Sequence, residues 1–192
     1  MGSTSATLIE RVRRNDQVAW RRMVRLYGPL VYYWCRHCEL QAADLADVFQ
    51  EVFRAVASSI NDFQHGSAGQ TFRGWLRTIT RNKLNDHFRQ SRRVPLATGG
   101  STANNRWQQF IEQDDDAALI PLADERRLLV HRALALLKTD FEERTWKAFW
   151  RTAVDGLPSA QVAEELGMTS AAVRKSKSRV LARLREELGD DV

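Results

Sequence analysis

The 192-residue sequence contains few of the residues that interrupt helices or cross-link a chain. It has four prolines and ten glycines, which is few for an all-β protein with many tight turns. Its two cysteines cannot form a disulfide framework. The longest apolar run, residues 30–35, is too short for a membrane span, and the first residues lack a secretory signal pattern. We therefore expect a cytoplasmic protein without membrane insertion.

The charge of the chain is positive and unevenly distributed. Lys and Arg number 29 against 24 Asp and Glu, a net charge of +5, and only five of the basic residues are lysines. Residues 1–94 carry 15 basic and eight acidic side chains (net +7), residues 95–124 carry one and five (net −4), and residues 125–192 carry 13 and 11 (net +2). Two basic regions therefore flank an acidic one, and the planar guanidinium of arginine suits phosphates and base edges.

The acidic region has the composition of a linker. Residues 95–105 are rich in Gly, Ser, Thr and Asn, and Asp114–Asp116 follow. These residues favour loops, whereas the flanking regions have helical periodicity. The sequence predicts an all-α fold with two small helical domains, residues 1–94 and 125–192, joined by a flexible acidic linker over residues 95–124.

Apolar spacing predicts four helices in the first domain. The first has Asn15–Asp16 as its N-cap and a repeating apolar face, and Gly28–Pro29 predicts that it breaks before a second helix over about residues 30–38. An apolar stripe from Leu45 to Ile60 predicts the third helix, and the fourth begins near Phe72.

The second domain contains a predicted short helix over residues 161–166, a turn at Gly167–Thr169 and a long helix over residues 170–188. Ala163 would let the helices approach, Gly167 would allow a left-handed backbone conformation, and Val173 would anchor the long helix. This order indicates that the predicted C-terminal domain contains a helix-turn-helix, although other helical hairpins share the spacing.

Basic side chains form two candidate nucleic-acid surfaces. On the long helix, Arg and Lys could contact guanine, or the side chains could form a solvated face; the candidates are Thr169, Ser170, Arg174, Lys175, Ser178 and Arg179. On the fourth helix, Arg73, Arg77 and Arg81 recur at i, i+4 and i+8. Nearby, Phe72 and Trp75 favour core packing, whereas Phe63 is the better candidate for stacking on an unpaired base.

Four uses are open for the helix face with Asp44, Asp47, Gln50 and Glu51: metal binding, acid–base catalysis, docking of a basic partner, or plain solvation. The histidines typical of dimetal bundles are missing. Cys35-x-x-Cys38 lacks a second ligand pair and is predicted to be two buried thiols. Asp114–Asp116 lie in a flexible linker, which holds no fixed metal geometry. Without a phosphate loop or nucleophile elbow, no enzyme activity, cofactor or metal is predicted.

Three segments together resemble bacterial RNA polymerase sigma factors of the extracytoplasmic-function (ECF) class of the sigma-70 family. Residues 44–53 resemble that family's core-polymerase-binding helix. Residues 72–82, followed by Asp86 and Arg89, resemble its promoter-melting segment, and residues 156–184 resemble its −35-binding helix-turn-helix. The resemblance implies a transcription initiation factor that binds core RNA polymerase and promoter DNA, recognises −35 and −10 elements and assists strand opening.

The resemblance also assigns residues to these roles. The face with Asp44, Asp47, Gln50 and Glu51 would dock on the polymerase clamp helices, and the long helix of the second domain would read the −35 element. The set implied for −10 recognition and melting is Asn61, Phe63, Arg73, Arg77, Thr80, Arg81 and Asn82. Residues 171–177 depart from the family's usual pattern, so the −35 preference does not transfer. The long loop after Asn61 leaves the base-capturing residue open.

Two alternatives remain from other functional classes. A helix-turn-helix regulator that does not bind core polymerase would have no need of the 44–53 helix. A metal-dependent nucleic-acid hydrolase would use the carboxylates. An anti-sigma factor is a further partner compatible with the resemblance, but no residue identifies one.

Overall fold

A computed structural model describes residues 4–36, 38, 40–64, 71–91 and 122–189, and within these ranges it contains eight α-helices and no strand. The helices are α1 (Thr4–Arg13), α2 (Gln17–Arg36), α3 (Ala42–Ser59), α4 (Phe72–Ser91), α5 (Leu122–Leu137), α6 (Glu143–Ala153), α7 (Ser159–Leu166) and α8 (Ser170–Leu188), with a 3-10 turn at Lys138–Asp140. The all-α prediction is confirmed. None of the described helices combines the length and apolarity needed to cross a lipid bilayer.

The chain divides into two compact units. Leu8–Leu129 forms the first unit and Val130–Asp190 forms the body of the second, so that the boundary falls within α5. Residues 92–121, which include most of the predicted linker and its Asp114–Asp116 run, lie outside the described residues. The two units are therefore described separately.

The core of the first unit lies where α2, α3 and α4 meet. Met23, Leu26 and Leu30 of α2 are fully buried at spacings that place them on one face of that helix, and Val52 of α3 is fully buried as well. The start of α2 is fixed by Asp16, whose Oδ1 accepts hydrogen bonds from the backbone N–H groups of Val18 (2.9 Å) and Ala19 (3.1 Å). The bond from Ala19, together with that from Arg11, lowers the pKa of the Asp16 carboxyl. The predicted cap is confirmed.

The predicted break at Gly28–Pro29 is wrong. α2 continues through both residues to Arg36. A proline removes one helical hydrogen bond, and the buried face on either side of it holds the helix together. Gly28 has a packing role instead, because a Cβ at this position would lie 3.3 Å from the Phe49 ring. The missing side chain allows α3 to approach α2 closely.

The second unit packs α6, α7 and α8 around Ala148, Val162, Ala163 and Val173. α7 ends at Gly167, whose φ of 59° lies in the left-handed region. α8 begins at Thr169, whose Oγ1 accepts a hydrogen bond from the backbone N–H of Ala172 at 3.1 Å. Ala163 and Val173 lie in this core, and Gly167 has the left-handed conformation that its position in the sequence predicts.

Candidate nucleic-acid interface

The outer side of α8 brings together the residues predicted to enter a major groove. Val173, Ser176 and Val180 face the core of the second unit, which turns the intervening residues outward. We call the resulting surface the α8 basic face: it consists of the exposed Thr169, Arg174, Lys175, Ser178 and Arg179 and the half-buried Ser170. The side chains are displayed as a groove-binding helix requires.

Two arginines of α6 hold α7 in place. Arg144 Nε donates to the backbone carbonyl of Leu166 at 3.0 Å, and its Nη2 donates to the carbonyls of Leu166 and Gly167. The guanidinium therefore caps the C-terminal end of α7, where partial negative charge accumulates. The second arginine, Arg151, pairs with Glu165 of α7 at 3.0 Å. Both arginines support the turn that sets the angle of α8.

The charge on α8 is partly neutralised toward its C-terminal end. Arg183 Nη1 pairs with Glu186 at 3.0 Å, and its Nη2 lies 3.8 Å from the buried Glu187. Positive charge is thereby concentrated in the N-terminal half of α8, on the α8 basic face. This is the half of a recognition helix that reaches base edges.

Helix α4 buries part of the arginine stripe, by which we mean Arg73, Arg77 and Arg81. Arg73 is only 8% exposed, whereas Arg77 and Arg81 are half-buried and Asn82 is exposed. Thr80 is buried, and its Oγ1 donates to the carbonyl of Leu76 at 2.9 Å. Arg73 and Thr80 thus lie inside the first unit in this conformation.

Phe63 is a core residue in this structure. It is 2% exposed, and its ring lies 5.6 Å from that of Phe72 and 5.0 Å from that of Trp75 between centroids. Arg13 of α1 holds the preceding backbone by donating to the carbonyls of Ile60, at 3.0 Å, and Phe63. Stacking of Phe63 on a base would require its ring to leave this cluster. Asn61 is exposed, and residues 65–70 of the loop are not described.

The predicted acidic face lies along the outside of α3. Asp47 and Gln50 are exposed, and Asp44 and Glu51 are half-buried. Arg54 donates to Gln50 Oε1 at 3.3 Å and pairs with Glu51. Beside this face, a groove of about 510 Å³ is lined by side chains that include Trp20, Phe49 and Phe53. The acidic face therefore borders apolar surface.

Sequence reasoning missed one contact of Arg73. Glu125 of α5 is 1% exposed. Its Oε1 accepts a hydrogen bond from Trp34 Nε1 at 2.8 Å, and its Oε2 lies 3.7 Å from Arg73 Nη1. Trp34 and Glu125 are 91 residues apart in the sequence, so no local periodicity could have paired them. We call this arrangement the Glu125 contact.

Cys35 and Cys38 are free, buried thiols, as predicted. Burial raises the pKa of each to about 12, and the proximity of Cys35 adds to the rise at Cys38. At neutral pH they are protonated and unreactive. Among the described residues, no group of three or more His, Cys, Asp or Glu side chains is arranged to hold a metal ion.

Comparison with known proteins identifies the segment that carries the acidic face and the arginine stripe. The family description for sigma-70 region 2 matches residues 23–94, which include all of α3 and α4. Over this segment the chain is similar to sigma-70 region 2, and a relative named as an ECF sigma factor extends the similarity over most of the chain. The segment match falls on the helices for which the sequence predicted polymerase binding and promoter melting.

Three proteins named as RNA polymerase sigma factors are similar to this chain beyond that segment. It is 26% identical over 185 residues to the ECF RNA polymerase sigma factor BldN of Streptomyces coelicolor, an alignment covering 96% of this chain and 66% of BldN. It is 31% identical over 142 residues to the probable RNA polymerase sigma factor RfaY of Xanthomonas campestris (74% and 33% covered). It is also 25% identical over 189 residues to the RNA polymerase sigma factor NccH of Alcaligenes xylosoxydans (95% and 93% covered). The chain thus spans 66% of BldN and 33% of RfaY, but nearly all of NccH.

Proposed function

We propose that the chain is a cytoplasmic transcription initiation factor, without catalytic activity of its own, that binds core RNA polymerase and directs it to promoters. The observation that carries the proposal is the sigma-70 region 2 match over α3 and α4, because α3 displays the acidic face on its outer side. A row of exposed and half-buried acidic and amide side chains, beside a groove lined in part by aromatic rings, is suited to docking a helical partner with a basic surface.

We propose that residues 1–94 provide polymerase binding and −10 recognition, residues 95–124 the linker, and residues 125–192 recognition of the −35 element. The α8 basic face supports recognition of the −35 element, because its arginine and lysine side chains are exposed while the opposite side of α8 packs on the core of the second unit. In the first unit, Arg77, Arg81, Asn82 and Asn61 are the accessible members of the predicted set. An anti-sigma factor remains a partner predicted by the resemblance alone.

Gel filtration with purified core RNA polymerase tests the proposal. We expect the wild-type chain to co-elute with polymerase and Asp47→Arg to co-elute much less, because it reverses a charge on the acidic face. Asp62→Arg is the matched control: Asp62 is exposed in the same unit but lies outside that face.

The outcome separates the functional classes. If the wild-type chain never co-elutes with polymerase yet binds specific duplex DNA, it is a helix-turn-helix regulator and the proposal fails. If it co-elutes, run-off transcription on a genomic library with core polymerase should give transcripts that depend on the chain. Their promoters should share two elements at fixed spacing.

A further inference from the structure

The Glu125 contact ties a residue predicted to bind DNA to the helix that follows the linker. We propose that the Trp34–Arg73 surface of the first unit is a binding site for the acidic first turn of α5, and that Glu125 bound there excludes nucleic acid from Arg73. The second half of this statement rests on the proposed function. All three residues belong to the first unit.

The geometry makes Glu125 the residue that binds. Its carboxylate is 1% exposed and lies against Trp34, which is fully buried, and Arg73, whose side chain is 10% exposed. One carboxylate oxygen accepts the indole N–H at 2.8 Å and the other faces the guanidinium at 3.7 Å. A charge removed from water is held only where such partners compensate it. A second helix therefore places a negative charge beside this arginine.

The contact is also incomplete, which allows it to open. The 3.7 Å separation exceeds a hydrogen-bond length, and Glu125 Oε2 accepts no hydrogen bond within the described part of the chain. The desolvation cost of a buried pair offsets much of its attraction when the geometry falls short. A phosphate, which presents more acceptor oxygens to a guanidinium, can compete for Arg73.

Opening would change what α4 presents. With Glu125 bound, Arg73 is buried and its charge is matched, so the arginine stripe is reduced to Arg77 and Arg81. Without it, Arg73 loses a negatively charged neighbour, and its guanidinium lies on the same helix two turns from Arg81. Proteins bind along a nucleic-acid backbone through rows of positively charged side chains of this kind. The Glu125 contact therefore lowers the affinity of the first unit for nucleic acid.

Glu125→Gln, compared with Asp124→Asn, isolates the charge of the contact. The Gln side chain keeps the size of Glu125 and can still accept the indole N–H, so the first unit should remain folded. Asp124 is the matched control: it is the neighbouring acid in the same first turn, is exposed, and lies 3.5 Å from Arg127. Both changes remove one negative charge from α5.

The first measurement is NMR of the six ¹⁵N-labelled tryptophan indoles in the full chain, with the Trp34 signal assigned from Trp34→Phe. We expect Trp34 N–H to exchange slowly with solvent in the wild type and in Asp124→Asn. In Glu125→Gln its resonance should shift, because the oxygen that accepts the indole N–H loses its charge. If the Trp34 resonance has the same position in Glu125→Gln as in Asp124→Asn, the contact does not exist in solution and the proposal is overturned.

The second measurement is binding of a fluorescein-labelled single-stranded DNA 15-mer. We expect Glu125→Gln to bind it about tenfold more tightly than Asp124→Asn, the scale of one charge-assisted interaction. The double variant Arg73→Gln, Glu125→Gln should lose that gain. If the Trp34 resonance shifts in Glu125→Gln but DNA affinity does not rise, the contact is only structural. The proposal that Glu125 excludes nucleic acid from Arg73 would then be wrong.

Co-elution with core polymerase keeps this proposal separable from the proposed function. If the chain co-elutes while Glu125→Gln and Asp124→Asn bind DNA equally, the exclusion by Glu125 is wrong and the function stands. If Trp34 responds and DNA binding rises but no variant co-elutes, the Glu125 contact stands and the initiation-factor function is wrong.

Discussion

The two units present their candidate nucleic-acid residues in opposite ways. In the second unit, Arg174 and Lys175 project from α8 into solvent, and the arginines that support them act locally on the surface between α6 and α7. In the first unit, Phe63, Arg73 and Thr80 are buried. Helical periodicity assigns residues to one face of a helix, but only packing decides whether that face meets water or another helix.

The difference separates residues that are ready to bind from residues that must first move. The α8 basic face needs no rearrangement to meet a groove, whereas Arg73 must lose Glu125 and Phe63 must leave an aromatic cluster. The second unit is thus preorganised. In the first unit, exposing these residues would cost packing free energy. Substitutions of these residues should therefore change stability more than they change DNA binding.

The largest effect that sharpens this comparison is expected for Phe63→Ala. Because the ring is buried against Phe72 and Trp75, its removal should lower the free energy of unfolding by about 3–5 kcal/mol. Chemical denaturation followed by circular dichroism measures this change. Tyr32→Ala is the control, because Tyr32 is 46% exposed and should change stability little. A variant with unchanged stability and weaker DNA binding would contradict the core placement of Phe63.

Arg174→Ala tests the other side of the comparison. We expect the loss of about 1–3 kcal/mol of binding free energy for promoter DNA, with unchanged stability, if Arg174 contacts a base edge. Fluorescence anisotropy with a selected promoter and a scrambled duplex measures it. Arg185 is exposed on the same helix, and Arg185→Ala should weaken binding of the promoter and of the scrambled duplex equally. Equal losses on both duplexes for Arg174→Ala would show that it contacts phosphate only.

The parts of this picture that the sequence predicted are those determined by neighbouring residues. Asp16, Gly167 and Thr169 cap or end helices through backbone groups a few residues away, and such geometry follows from residue type. The apolar stripe of α3 and the α8 basic face were found in the same way. Residue spacing along one helix is enough to predict the apolar stripe of α3 and the α8 basic face.

The parts that the sequence did not predict depend on distant partners. Continuation of α2 through Pro29 follows from the packing of the whole helix, and Gly28 is explained only by Phe49 of another helix. The Glu125 contact joins residues on three helices, and nothing near Arg73 distinguishes it from Arg77. Tertiary contacts override local preference at these positions.

A smaller effect is expected for Thr80→Val. Its Oγ1 donates to the Leu76 carbonyl from a buried position, so the variant should lose about 1 kcal/mol of stability. Thr78→Val is a close control, since Thr78 makes the same type of bond to the Gly74 carbonyl, at 3.2 Å, from an exposed position. Its loss should be smaller because water can replace the bond. Thermal denaturation compares the two, and a Thr80→Val variant with native stability and impaired strand opening would place Thr80 at DNA.

The smallest effect should come from Glu165→Gln, which removes an exposed ion pair that helps to hold α7 on α6. Hydrogen bonds from Arg151 and Gln161 lower the pKa of Glu165 below its usual value of 4.5. A carboxyl whose folded pKa is lowered stabilises the fold above its unfolded pKa, and this contribution is lost as the pH falls through the folded pKa. The melting temperature of Glu165→Gln should therefore lie slightly below that of the wild type at pH 7, and the difference should shrink as the pH falls through the folded pKa. Glu164→Gln, which changes the exposed neighbouring glutamate, is the matched control for the loss of one negative charge on α7. A difference that persists at low pH would mean that α7 is held by packing around Val162 and Ala163 and that the glutamine perturbs this packing rather than an ion pair. It would extend to the second unit the rule found in the first, that the core decides which surface is presented.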